Sequence, residues 1–185
     1  MAKLISKTYG DALFDVAVEN NAVDVLMREA ADVTDIVKLH PDFLKLLNHP
    51  NVSKEEKLHV VKEVFSTRVS GEMYGFLSVL VEKDRQGHVL EILEYFTARV
   101  KEYRRVGVVY ITSALPLNGS QKEKIEKKVL ATSGYAALEP HYEVDESLIG
   151  GLIIRIEDRV VDSSVRGKLE RLTRELRDIQ LSMAE

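Results

Sequence analysis

Gly107-Val108-Val109-Tyr110-Ile111-Thr112-Ser113 is the stretch at which the chain changes its pattern. Valine, isoleucine, threonine and tyrosine crowd together here. Such β-branched and aromatic side chains suit a pleated strand, and Pro116 closes the run. Residues before it read as helix, and those after it mix strand with helix. The fold therefore divides near residue 106.

Upstream, Leu4, Ile5, Tyr9, Ala12, Leu13 and Val16 recur at three- and four-residue steps, the period of an amphipathic helix. Asn20-Asn21 ends that helix, and a second runs from Val23 to Leu39. His40-Pro41 breaks it, because a residue before proline avoids helical angles while proline suits a new first turn. A short apolar helix comes next, around Phe43, Leu44, Leu46 and Leu47. Ser53 and Glu56 form a capping box that opens a helix through Phe65. Gly71 to Lys83 and His88 to Arg105 complete six helices on short connections, the pattern of a bundle.

Downstream, Ser120 and Glu123 read as a second capping box, opening a helix that runs through Leu130 and is stopped by Gly134. Leu138 to Val144 is expected to be a strand, and Pro140 within it places it at a sheet edge. Leu152 to Ile156 and Val160-Val161 flank Glu157-Asp158-Arg159 as a hairpin. Ser163 or Ser164 caps a last helix from Val165 to Met183. The expected fold is mainly α, with an N-terminal six-helix bundle over residues 1–105. Residues 106–185 are expected to form a small α+β domain with a short sheet and a long C-terminal helix.

Composition narrows the function classes. The 185 residues contain no cysteine, which removes disulfides and thiolate metal sites. With 26 basic and 30 acidic residues the net charge is −4, and neither half is basic, so there is no electrostatic footprint for nucleic acid. The longest apolar run, Leu148 to Ile154, is too short to span a bilayer. The start of the chain has neither a long apolar segment nor a cleavage-like site, so an intracellular protein is expected.

Catalytic motifs are missing. The one Gly-Lys pair, Gly167-Lys168, is followed by Leu169 and lacks the upstream glycine of a phosphate loop. No Gly-x-Gly-x-x-Gly follows a strand. His40, His49, His59, His88 and His141 include no pair spaced to share a helix face. Ser163-Ser164 lacks a nucleophile elbow around it. No catalytic residue, cofactor site or metal site is expected.

Three patterns point instead to binding. Val165, Leu169, Leu172, Leu176, Ile179 and Met183 form a heptad-like seam on the last helix. Most simply it covers the sheet of its own domain, with the distal end free for a partner helix. The helix around Met73-Tyr-Gly-Phe-Leu-Ser-Val-Leu-Val81 is apolar almost all round, so it either lies central in its bundle or shares a face with a partner. The pair Gly150-Gly151 marks a bulge or a close backbone approach.

Taken in order, several segments resemble the delta subunit of bacterial and chloroplast F-type ATP synthases, a family that includes the mitochondrial oligomycin-sensitivity-conferring subunit. They are Tyr9 to Ala17, Phe43 to Pro50, Lys54 to Lys57, Phe76 to Arg85, Thr112 to Leu117, Val144 to Gly151 and Asp162 to Leu169. The chain departs from the family pattern at the hairpin tip, Glu157-Asp158, and at Ser163, where glycine is common.

The resemblance implies a non-catalytic stator subunit that ties the catalytic head to the peripheral stalk and resists rotor torque during proton- or sodium-driven ATP synthesis. The bundle would bind the N-terminal helices of the alpha subunits through Tyr9, Ala12, Phe76 and Val79. The second domain would hold the C-terminal ends of the b subunits. It further implies a peripheral place at the cytoplasmic face of the cell membrane, reached only through the complex. A free-standing helix-binding scaffold, or an enzyme with a dispersed site in the second domain, are the competing readings.

Overall fold

The structure is a computed structural model that describes the backbone of residues 2–182 and the side chains of residues 3–176. It separates into two compact units, one ending at Tyr103 and one beginning at Arg104.

The first unit contains α1 (Ala2–Glu19), α2 (Val23–Leu39), α3 (Pro41–Leu47), α4 (Lys54–Phe65), α5 (Gly71–Glu82) and α6 (Val89–Tyr103), with a 3-10 turn at Gln86–His88 before α6. Its punctuation is local chemistry. Asn21 takes φ 52 and turns the chain out of α1. Pro41 opens α3. Ser53 and Glu56 exchange the two hydrogen bonds of a capping box at the head of α4. Ser70 caps α5 and is itself held by Glu29 of α2, whose carboxylate accepts from the Ser70 N–H and hydroxyl, each at 2.7 Å.

Six helices converge on one core in which Leu13, Leu26, Phe65, Met73, Ile92 and Phe96 are almost wholly enclosed. The closest helix pairs are α1 with α6, α4 with α5 and α2 with α6. Gly10 is what lets α1 approach α6. A Cβ there would run into the Tyr95 ring, and the Tyr95 hydroxyl donates to Asp11 at 3.0 Å. Phe14 packs edge-on against Tyr103 beneath the Arg99 guanidinium. Two faces of α1, one around Leu13 and one around Phe14, are thereby used within the bundle.

The second unit is a four-stranded sheet of order β2-β1-β3-β4, formed by β1 (Val106–Ser113), β2 (Ala137–Val144), β3 (Leu152–Ile156) and β4 (Arg159–Asp162). Strands β1 and β2 are parallel and are joined through α7 (Gly119–Ser133), because parallel neighbours need a crossover. The β1–β3 and β3–β4 pairs are antiparallel. Pro140 does lie on an edge strand, where its missing N–H costs no ladder bond. The core is thin: Val109, Ile111 and Val129 are buried, with Ile125, Leu138, Tyr142, Ile154 and Ile156 packed around them. Helix α8 spans Val165–Ser182. Side chains expected to extend the seam, Ile179 and Met183, lie outside the described residues.

Two expectations need correction. The cap of α7 is Asn118 with Gln121, not Ser120 with Glu123, and the helix begins at Gly119 and continues to Ser133. Nor does the α8 seam cover its own sheet. Val165, Leu169, Leu172 and Leu176 are 38%, 51%, 54% and 63% exposed. Ile125 and Val129 of crossover helix α7 pack on the sheet's apolar core, and the main backbone contact of α8 is the short 3-10 turn Glu146–Leu148.

Candidate interaction surfaces

On α1 the side chains of Ile5, Tyr9, Ala12 and Val16 are spaced 4, 3 and 4 apart and share one stripe. The stripe lies at the shoulder of the buried face. Ile5 and Tyr9 are half-buried against the core, whereas Ala12 is exposed and Val16 is 38% exposed. On α5 the inward face is Met73, Leu77, Leu80 and Val81. Phe76 leans on the core from the edge of that face, and Val79, next round the helix, is 41% exposed.

The helix that is apolar all round is therefore only partly consumed by its bundle. Four residues fill the core, and Phe76 and Val79 remain at the surface. Tyr9 and Phe76 are brought to the same core cluster, while Ala12 and Val79 point to solvent. Helices α1 and α5 do not pack closely on each other. The resemblance names neither Ile5 nor Val16, although their spacing from Tyr9 and Ala12 places them on the same stripe.

Gly75 stands one turn before Val79. A methyl group placed there would touch nothing within 4 Å. Mid-helix glycine costs about 1 kcal/mol relative to alanine, so this position accepts instability without any packing reason inside the bundle.

The second unit has two uncovered apolar surfaces. One is a groove of about 590 Å³ where α7 leaves the β3–β4 half of the sheet open. Ile125, Val129, Ile154, Ile156 and Val161 form its floor, and Lys124, Lys128 and Arg159 stand at its rim. The other is the α8 seam, beside an open recess of about 400 Å³ between Ile149 and Leu169.

The junction between the sheet and α8 is tightly specified. Ser164 is buried, and its hydroxyl accepts from the Gly167 N–H at 3.0 Å, so it is the cap of α8. Asp162 accepts from the Ser164 N–H at 2.8 Å, and that hydrogen bonding holds its carboxyl below the ordinary 3.8. A carboxylate with a depressed folded pKa adds stability that is present above 3.8 and is lost as pH falls through the folded value. Asp162→Asn should therefore unfold at lower urea than the parent at neutral pH, with the gap closing in acid. Gly151 completes the junction: it has φ 79, and a Cβ on it would lie 2.5 Å from the Ser163 carbonyl oxygen. This is the close backbone approach expected of the glycine pair.

Other polar contacts are structural. The Tyr142 hydroxyl donates to Glu126 at 2.6 Å, and burial with that carboxylate pushes its pKa up. Tyr135 donates to Glu157, the first residue of the hairpin turn, which takes φ 49. Among the described residues no cluster of three His, Asp or Glu side chains could hold a metal ion. No helix among them is long and apolar enough to cross a membrane.

Comparison with known proteins gives these surfaces a context. The family model described as ATP synthase delta (OSCP) subunit matches residues 5–176. ATP synthase subunit delta of Lachnoclostridium phytofermentans is 46% identical over 181 residues, covering 98% of this chain and 100% of the relative. The subunit delta of a Geobacillus species is 36% identical over 174 residues, covering 94% of this chain and 97% of its own. A chain in the mitochondrial ATP synthase hexamer of Toxoplasma gondii superposes with a TM-score of 0.68 at 21% identity, over 92% of this chain and 96% of that one. At that identity the superposition speaks for the fold.

Proposed function

The chain belongs to the ATP synthase delta (OSCP) subunit family, and from that premise we propose how its two units divide the work of a stator. As a member it is a non-catalytic subunit of the synthase, part of the link between head and peripheral stalk. The first unit binds the N-terminal helices of the alpha subunits on the shoulder formed by Tyr9 and Ala12 of α1 and Phe76 and Val79 of α5. The second unit holds the C-terminal ends of the b subunits. The subunit then sits at the cytoplasmic face of the cell membrane through the complex, and it transmits rotor torque from head to stalk without binding nucleotide.

One observation carries the first assignment. A bundle with an enclosed core still leaves Val16, on the α1 stripe of half-buried Tyr9, and Val79, on α5 near half-buried Phe76, each about 40% exposed. An amphipathic helix laid on that shoulder would bury them, and each fully buried side chain is worth about 1.5–3 kcal/mol. Titrating the full chain with a peptide of the alpha subunit's N-terminus should release heat and protect the amides around Tyr9 and Val79. Absence of both signals would remove the reading.

Gly75 supplies a second expectation. Gly75→Ala should stabilise the bundle by about 1 kcal/mol, since the methyl group meets nothing and alanine favours the helix. It should also weaken the alpha peptide several-fold, because a helix seated against Val79 would meet the added methyl. Thermal unfolding and calorimetry on one sample read both effects.

A further inference from the structure

Ile149 is the most unusual residue of the second unit. It has φ 67 and ψ −39, a region that β-branched side chains rarely enter and that persists only where the surrounding structure holds it. Its side chain gains little burial in return, being 68% exposed. The chain therefore holds a strained backbone in order to present a large apolar group to solvent.

What lies beside it is equally unsatisfied. Ile149 faces Leu169 across the recess whose other walls are Arg166, Glu170, Thr173 and Arg174. Arg166 is fixed there by Glu170 at 3.0 Å and by the Ser147 hydroxyl at 3.3 Å. Leu169 belongs to the exposed seam Val165, Leu169, Leu172 and Leu176, whose alternating four- and three-residue spacing presents knobs to a second helix. From Val165 to Leu176 this helix carries Arg166, Lys168, Arg171 and Arg174 against Glu170 and Glu175, four basic to two acidic in a chain of net charge −4.

We propose that Ile149 is an anchor for the stalk: together with the α8 seam it seats an amphipathic helix with acidic flanks, contributed by the C-terminal end of a b subunit. The inference rests on the assignment of the second unit to the stalk and places that contact on α8 rather than in the groove beside α7. Strain at Ile149 is maintained because the partner buries its side chain. The basic excess flanking the seam selects acidic neighbours on the incoming helix and makes the association salt-sensitive.

The test uses the full chain and a peptide of the cognate b subunit's C-terminus. Replacing Ile149 with glycine relieves the strained φ, so Ile149→Gly should unfold at the same temperature as the parent or a few degrees higher. It should nevertheless bind the peptide about tenfold more weakly, as should Leu172→Ala, since each removes one apolar anchor. Val161→Ala, in the groove, should bind as the parent does.

A fall of several degrees in Ile149→Gly would make Ile149 an internal wedge and overturn the proposal. So would unchanged peptide binding in both Ile149→Gly and Leu172→Ala, or loss confined to Val161→Ala. Light scattering that shows a dimer converted to monomer by Leu172→Asp would assign the seam to a second copy, which also overturns it. If the parent binds no b peptide at all, the stalk assignment itself fails, and the intact stability of Ile149→Gly then cannot rescue the anchor.

Discussion

Val79→Asp should abolish binding of the alpha subunit's N-terminal peptide, weakening it by about 100-fold or more, while the bundle stays folded. Val79 is 41% exposed and lies outside the core of α5. In the free protein the new carboxylate is solvated, and valine and aspartate differ little in helix propensity. The unfolding temperature should therefore move by no more than about two degrees. In the proposed complex the same carboxylate would be desolvated against the apolar face of the bound helix. An unpaired buried charge costs several kcal/mol, and about 3 kcal/mol already corresponds to more than 100-fold in affinity. Val79→Ala, which only trims the contact, should cost about fivefold. Intact binding by Val79→Asp would remove the proposed shoulder, and loss of helicity would instead make Val79 a core residue.

Gly151→Ala should cost the second unit about 3 kcal/mol or more and leave the first untouched. At φ 79 an L-residue is strained, and the added Cβ would stand 2.5 Å from the Ser163 carbonyl oxygen and 3.0 Å from the Ser164 Cα. Both obstacles are backbone, so no rotamer change relieves them. The displaced atoms belong to the junction that fixes β3 to β4 and α8, where the Ser163 N–H donates to the Leu152 carbonyl at 3.0 Å and the Val165 N–H to the Gly150 carbonyl at 2.9 Å. Among the described residues this unit buries few apolar side chains, with Val109, Ile111 and Val129 at the centre of its core, so a loss of that size removes much of its margin. Hydrogen exchange should show the amides of β1 and α8 deprotected while those of α2 and α6 keep parental rates. Binding of the b peptide should fail, and binding of the alpha peptide should persist. Simultaneous melting of both units would contradict the independence on which the expectation depends.

Much of the architecture was legible in the chain because its instructions are local. Ser53 with Glu56, Pro41 and Gly134 act within one turn of the helix ends they set. The α7 start shows the limit of that reading. Asn118 with Gln121 and Ser120 with Glu123 offer the same reciprocal cap two residues apart. The earlier frame prevails because each added residue of helix gains a hydrogen bond once the turn is nucleated, and the Lys122 N–H reaches the Asn118 carbonyl at 3.0 Å.

By itself, then, the sequence determined the change of pattern near residue 106, the helix periods and the edge position of Pro140. These arise from backbone sterics and hydrophobic spacing within a few neighbours. Tertiary structure alone decided which apolar stripes are consumed. Phe14 is buried because Tyr103 and Arg99, far along the chain, close over it. Val79 is left half-exposed because the core is already filled by Met73, Leu77, Leu80 and Val81 of its own helix. Helix α7, the crossover between β1 and β2, packs on the sheet's apolar core, while the α8 seam stays uncovered. Burial is a competition among segments distant in sequence, and its outcome decides which apolar surfaces stay exposed.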